Sequence, residues 1–210
     1  MKIIEKAKFS YPTWENKETE GDWLNRMNEI NFLIANGMEP NHHLLDIGTG
    51  WLRCGIDCIK YLDKDRFFGY DYSLADIELG FTGIAKYGLE GKNPTLAVEK
   101  YFDAQKFSQE FDFAFANSIF THLHPKAIML CISNTVSVLK ENGKFFATIY
   151  KEDSLTGFDD NPDGFFLRST QPYSFYEEIC KGLCKFTSIG KWIGSDAAYG
   201  QQMLLFERLK

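Results

Sequence analysis

The chain has 210 residues, 44% hydrophobic and 25% charged, with a formal net charge of −6, which fits one globular domain with a sizeable core. An acidic balance lacks the electrostatic footprint of a general nucleic-acid binder, and no stretch approaches the roughly 18–20 apolar residues that cross a bilayer. The N-terminus MKIIEKAKFSYPTW is charged every few residues, unlike a signal peptide, and the five cysteines form no disulfide-framework pattern, so a soluble cytoplasmic protein is expected.

Residues 22–37, DWLNRMNEINFLIANG, have the spacing of an amphipathic helix. Asp22 is placed to cap it, Gly37 to end it, and Trp23, Met27, Ile30 and Ile34 to form its stripe. Residues 1–40 thus read as an N-terminal helical extension or lid, and residues 41–210 as the core of a single domain. LLDIGTGWLRCG, residues 44–55, opens that core. Leu44, Leu45 and Ile47 predict a buried parallel strand at about 43–47. Gly48 and Gly50 predict a turn of positive φ that lets main chain approach a ligand. The spacing of Leu52, Ile56, Ile59 and Leu62 predicts a helix over 51–62 whose N-terminus points at that ligand.

RFFGY, residues 66–70, is the expected second strand, ending at Asp71. Ser73 is an N-cap for a helix to about Tyr87, although Gly80 and Gly83 are poor helix residues. Residues 95–99 form the expected third strand and 111–117, FDFAFAN, the fourth. A helix over 122–140 carries Pro125 in its first turn. Asn142-Gly143 reads as a turn before a fifth strand at 144–150. A polar loop over 152–172 precedes a helix at 173–181 and strands near 185–190 and 202–208. Cys54/Cys58 and Cys180/Cys184 are i,i+4 pairs that would each share a helix face; without a CxxC clip they read as buried small residues, and no metal site is expected. Strands alternating with helices through residue 150 predict an α/β, doubly wound, mostly parallel sheet. The closing strands pair most easily as antiparallel neighbours.

With these elements in place, LLDIGTG on strand one, FFGYDYS at the tip of strand two and FDFAFANSIFTHLHP after strand four resemble the class I S-adenosylmethionine-dependent methyltransferases. The resemblance covers roughly residues 40–210. It implies a seven-stranded sheet of order 3-2-1-4-5-7-6 with strand seven antiparallel, and S-adenosyl-L-methionine as cofactor. It further implies cofactor contacts from Asp46, Gly48, Thr49, Gly50, Arg53, Asp71, Tyr72, Asp103, Asn117, Ser118 and Ile119. Leu52 stands where many members have a third glycine, and WLRCG is similar to a Leu-Arg-Gly-Gly-type turn of one sub-branch. EKYFDAQ lacks the expected acid directly at the end of strand three, which leaves Asp103 as a shifted candidate for the adenine pocket.

The chemistry suits these residue types. Asp71 can accept charge-assisted hydrogen bonds from both ribose hydroxyls, or serve as an ordinary turn acid. Asp46, in a strand end, needs partners: N–H groups of the turn, or the ligand ammonium through water. Arg53 can reach a carboxylate of cofactor or substrate, or lie on the surface. Methyl transfer is an in-line displacement from a good leaving group, so alignment supplies much of the rate. A base is needed only for a protonated, weakly acidic nucleophile. His122 is the candidate, with packing at the helix start as the alternative; His124 is weaker. His42 and His43 read as surface residues at the opposite edge. Phe120 is expected near the cofactor and Tyr150 in the acceptor pocket or the core. Tyr11 and Trp14 are candidate substrate-contacting rings, and 152–172 a second lid.

The expected activity is methyl transfer to a small-molecule or glycan-like acceptor, with neither nucleic acid nor membrane as partner. A non-catalytic cofactor-binding scaffold is a second reading. A nicotinamide-dependent oxidoreductase is a third, against which GTGWLRCG fails to supply GxGxxG.

Overall fold

The computed structural model describes residues 29–150, 169–192 and 200–209. Helix α1 is seen over 29–35 and is followed by Gly37, whose φ is +97°. Residues 22–28, with Trp23 and Met27, lie outside the described residues, as do Tyr11, Trp14 and most of the 152–172 loop. Of the predicted stripe, Ile30 is buried but Ile34 is exposed; Leu33 takes the inward position instead.

Seven strands form one sheet of order β3-β2-β1-β4-β5-β7-β6. They are β1 (Leu44–Ile47), β2 (Phe67–Asp71), β3 (Thr95–Val98), β4 (Phe111–Ala116), β5 (Leu139–Tyr150), β6 (Cys184–Lys191) and β7 (Gln201–Arg208). The first five pair in parallel, and β7 runs antiparallel to both β5 and β6. Alternate residues of the central strands serve two cores: Leu45, Phe145 and Phe206 belong to one face, Leu44, Phe146 and Met203 to the other. A strand covered on both faces must be apolar at nearly every position, which is why FDFAFA and KFFATIY do not alternate strictly with polar residues.

Helix α2 (Gly55–Tyr61) begins four residues later than the spacing predicts. Gly48, Gly50 and Leu52 all hold positive φ, at +66°, +53° and +64°, so no helix can start among them. Leu52 nests against two glycines. A Cβ on Gly55 would come within 2.6 Å of its side chain, and one on Gly80 within 3.1 Å. Gly80 therefore sits inside α3 (Leu74–Lys86) to let that helix approach the turn, and Ser73 caps α3 as predicted by accepting from the Asp76 N–H at 3.2 Å.

Helix α4 (Pro125–Ser137) is shorter than expected, because residues Phe120–His122 form a separate 3-10 turn and His124 caps α4, its Nδ1 accepting from the Lys126 N–H at 3.1 Å. Asn142-Gly143 is a kink within β5 rather than a turn before it. Asn142 has φ +77°, and a Cβ on Gly143 would lie 2.8 Å from the Phe111 carbonyl oxygen. Cys180 ends α5 (Tyr173–Cys180) and Cys184 opens β6, so these two thiols do not share a helix face. No described helix is long and apolar enough to cross a membrane.

Candidate active site at the C-terminal edge of the sheet

In a parallel sheet the strand ends and the turns after them converge on one edge, and the predicted residues gather there. Gly50 follows β1, and its N–H donates to Asp71 Oδ2 at 2.9 Å across the gap to β2. The Ser73 N–H donates to the other oxygen at 2.8 Å. Asp71 is only 7% exposed, and burial raises its carboxyl above the usual range against the pull of those two amides. The Tyr72 amide pulls the same way, and three amides leave this carboxylate acceptor capacity for a further donor. Among the described residues nothing lies within 4 Å of a Cβ position on Gly50, so they leave open space at the turn beside that acid.

The two glycines differ in task. A Cβ on Gly48 would overlap the Ile119 side chain at 2.1 Å. The close approach that the sequence assigns to a ligand at Gly48 is made instead by Ile119, and of the two glycines it is Gly50 that faces space free of described residues. Thr49 is buried and turned inward: its N–H bonds the Tyr70 carbonyl at 3.0 Å, and its hydroxyl donates to Asp46 Oδ2 at 2.6 Å. Burial pushes the Asp46 carboxyl up to about 6; the Thr49 hydrogen bond opposes that rise and the neighbouring Asp71 charge adds to it. Arg53 lies half-buried in the turn ahead of α2, not inside the helix, and its charge eases the burial-driven rise of the Cys54 thiol.

At the next two tips, Tyr72 and Tyr101 are 57% and 72% exposed, two rings presented beyond the ends of β2 and β3. Asp71 pairs in register with Val98, and the Glu99 N–H donates to the Asp71 carbonyl at 2.8 Å. Glu99 is therefore an acid directly at the end of β3, contrary to the expectation that this position lacks one. Burial opposes its ionisation, but hydrogen bonds from Lys106 and the Tyr101 N–H prevail and lower its pKa. Asp103 is exposed and makes no capping hydrogen bond. Sequence reasoning passes over Tyr101, which only its place just beyond β3 marks.

After β4, the Ser118 N–H donates to Thr148 Oγ1 at 2.7 Å and the Thr148 hydroxyl reaches Asn117 Oδ1 at 3.4 Å. Ser118 holds φ +56°, a strained conformation of the kind that clusters at functional sites. The Gln201 amide donates to Ser118 Oγ at 3.1 Å, tying β7 to this tip. Glu29 of α1, 1% exposed, accepts from Asn117 Nδ2. Sequence reasoning passes over Glu29 too, because a single acid on an amphipathic helix reads as solvent-facing. His122 is half-buried in the 3-10 turn, and Tyr150 is half-buried at the end of β5, in register with Gln201. Phe120, expected near the cofactor, is in the core against Phe145 and Phe206. In the segments around β4, β5 and β7, Thr121 Oγ1, Ser169 Oγ, Gln171 Nε2 and Trp192 Nε1 are buried with no hydrogen-bond partner among the described residues.

No family model and no curated protein sequence matches this chain. Solved structures do. The CcbJ methyltransferase from Streptomyces caelestis superposes with a TM-score of 0.66 at 10% identity, over 96% of this chain and 94% of that one. Magnesium protoporphyrin IX methyltransferase from Synechocystis PCC 6803, with bound SAH, gives 0.64 at 12% identity, over 89% and 84%. An rRNA methylase from Streptococcus thermophilus gives 0.58 at 12%, over 88% and 97%. This is the class I methyltransferase fold. Within it, β1, β2 and β4 bring Asp46, Gly50, Asp71, Tyr72, Asn117 and Ser118 to one edge. His42 and His43 lie at the other, half-buried rather than on the surface: His42 stacks on Phe113, and His43 accepts from Arg66.

Proposed function

We propose that the protein is an S-adenosylmethionine-dependent methyltransferase acting on a small-molecule or glycan-like acceptor. The observation that carries this reading is the Asp71 carboxylate, buried at the tip of β2, bonded to the Gly50 N–H and beside the open space at Gly50. The residues suit an adenosyl sulfonium. Asp71 has acceptor capacity left for a ribose hydroxyl, Tyr72 and Tyr101 offer flat faces for a base, and Asp46 is an acid whose raised pKa falls when a cation approaches. The cofactor would supply a methyl group on a good leaving group, open to in-line displacement.

The chain's own part is then largely alignment. Asp71 and the glycine turn hold the nucleoside, Thr49 acts through Asp46, and Ile119 closes the space over Gly48. His122, at the same edge, accepts the acceptor's proton where the nucleophile carries one. Neighbours of this fold act on both small molecules and rRNA by their names; the net charge of −6 favours the former here.

Calorimetric titration with S-adenosylmethionine, S-adenosylhomocysteine and NAD tests the reading. Binding of the first two is expected. Binding of NAD alone overturns it, and cofactor binding without transfer to any of a broad acceptor panel favours the non-catalytic scaffold.

A further inference from the structure

Leu52 holds φ +64°, a left-handed conformation that costs free energy in any residue with a Cβ. Its N–H closes a turn on the Thr49 carbonyl at 3.1 Å, and its own carbonyl accepts from the Ile56 N–H at 3.1 Å. Leu52 therefore stands where the glycine turn ends and the hydrogen-bond ladder of α2 begins. Trp51, Leu52, Arg53 and Cys54 include neither glycine nor proline, so their own preferences do not stop that ladder from running back toward Gly50. What stops it is the seat of one side chain. Leu52 is fully buried; its Cδ2 lies 2.6 Å from the point a Cβ on Gly55 would occupy, and its Cγ 3.1 Å from the same point on Gly80. The slot between α2 and α3 exists because both of those residues are glycine.

We infer that Leu52 is a positioning residue: its burial between Gly55 and Gly80 holds the turn in its left-handed form and keeps the Gly50 N–H on Asp71. Gly48 and Gly50 are left-handed too, and glycine takes either sign of φ readily, so the turn has little local preference for this shape. The apolar anchor supplies that preference from outside the turn. The same slot joins the turn to α3, whose capping residue Ser73 donates its N–H to the other oxygen of Asp71. One buried side chain thus sets the spacing of two amides that hold the carboxylate. The consequence for the cofactor rests on the proposed function: a turn already in its binding form spares the ligand the cost of ordering it.

Hydrogen exchange of the Gly50 amide in the ligand-free full chain tests the anchor without any cofactor, and S-adenosylhomocysteine affinity tests its consequence. Leu52→Ala drops the anchor and keeps the strain, so it should speed Gly50 exchange and weaken S-adenosylhomocysteine by about tenfold each. Leu52→Gly leaves a larger cavity but accepts the left-handed backbone, so both losses should be smaller, roughly threefold. A cavity effect alone gives the reverse order. Leu62→Ala truncates an equally buried leucine of the same core. It should lower the urea midpoint yet leave both readouts within about twofold, because local opening is separate from global stability. Glycine losses as large as those of alanine, unchanged Gly50 exchange, or an equal effect from Leu62→Ala would overturn the inference. If the alanine variant does not fold, Leu52→Gly set against Leu62→Ala decides the matter. A wild type that binds no S-adenosylhomocysteine, with exchange in the expected order, would sink the cofactor reading and leave the anchor standing.

Discussion

The two edges of this sheet treat buried charge in opposite ways. At the N-terminal edge Asp112 accepts from Lys140 Nζ and from the His43 N–H, both at 2.7 Å, and His43 accepts from Arg66. Burial opposes ionisation of Asp112, but the Lys140 and His43 hydrogen bonds win and its pKa falls. The carboxyl is closed off by the Lys140 cation and a backbone amide. At the C-terminal edge Asp71 and Asp46 are met by backbone N–H groups and a hydroxyl, and burial raises both. Paired charge stabilises the first edge, while the second holds acids that a cationic ligand would complete. The contrast holds between Asp112 and the pair Asp46 and Asp71; Glu99, at the end of β3 on the second edge, is paired with Lys106 as Asp112 is with Lys140.

Four substitutions sharpen that contrast, two read on function and two on stability, each pair in falling order of effect. His122→Ala at the open edge should lower turnover by roughly a hundredfold, the scale of a lost general base, with S-adenosylhomocysteine affinity nearly intact. Full turnover in the variant would retire His122 and leave alignment as the whole of catalysis. Asp71→Ala should weaken cofactor binding by more than about tenfold, as loss of a hydrogen-bonded charge does; unchanged calorimetric affinity in a folded variant removes Asp71 from the site.

Asp46→Asn should stabilise the ligand-free protein at pH 7 by up to roughly 3 kcal/mol while weakening cofactor binding. The sign follows from its raised pKa: stability is complete below the unfolded value of 3.8 and is lost as pH rises through about 6. Urea melts of wild type and variant should therefore diverge across that window, and parallel curves would show that Asp46 is not strained. Asp112→Asn should do the reverse, costing about 1 kcal/mol at pH 7. Its depressed pKa means that the wild-type advantage is present above 3.8 and vanishes as pH falls through the lower folded value. Equal melts at pH 7 would contradict a stabilising closed edge.

Much of the candidate site is legible in the sequence because it follows strands. A buried strand announces itself by composition, and residues just beyond its end must lie at the edge, which locates Asp71 and Asn117. Residues whose roles depend on a partner distant in sequence stay hidden. Ile119 packs over Gly48 from the far side of β4, and Glu29 meets Asn117 across 88 positions of chain. The start of α2 departs from expectation for a related reason: its apolar spacing is real, but Leu52 reaches the core from a left-handed turn because Gly55 and Gly80 make room for it. Periodicity reports which side chains go inward and is silent on the backbone that carries them.

By itself the sequence determined the alternation of strands and helices, the two-sided burial of the central sheet and the antiparallel close, since these depend on local apolar pattern and chain connection. Tertiary structure alone decided which glycine faces open space, which acids are closed by cations and which helix lends a carboxylate to the edge. Those outcomes depend on burial and on through-space charge, and neither quantity exists until segments far apart in the chain are packed together.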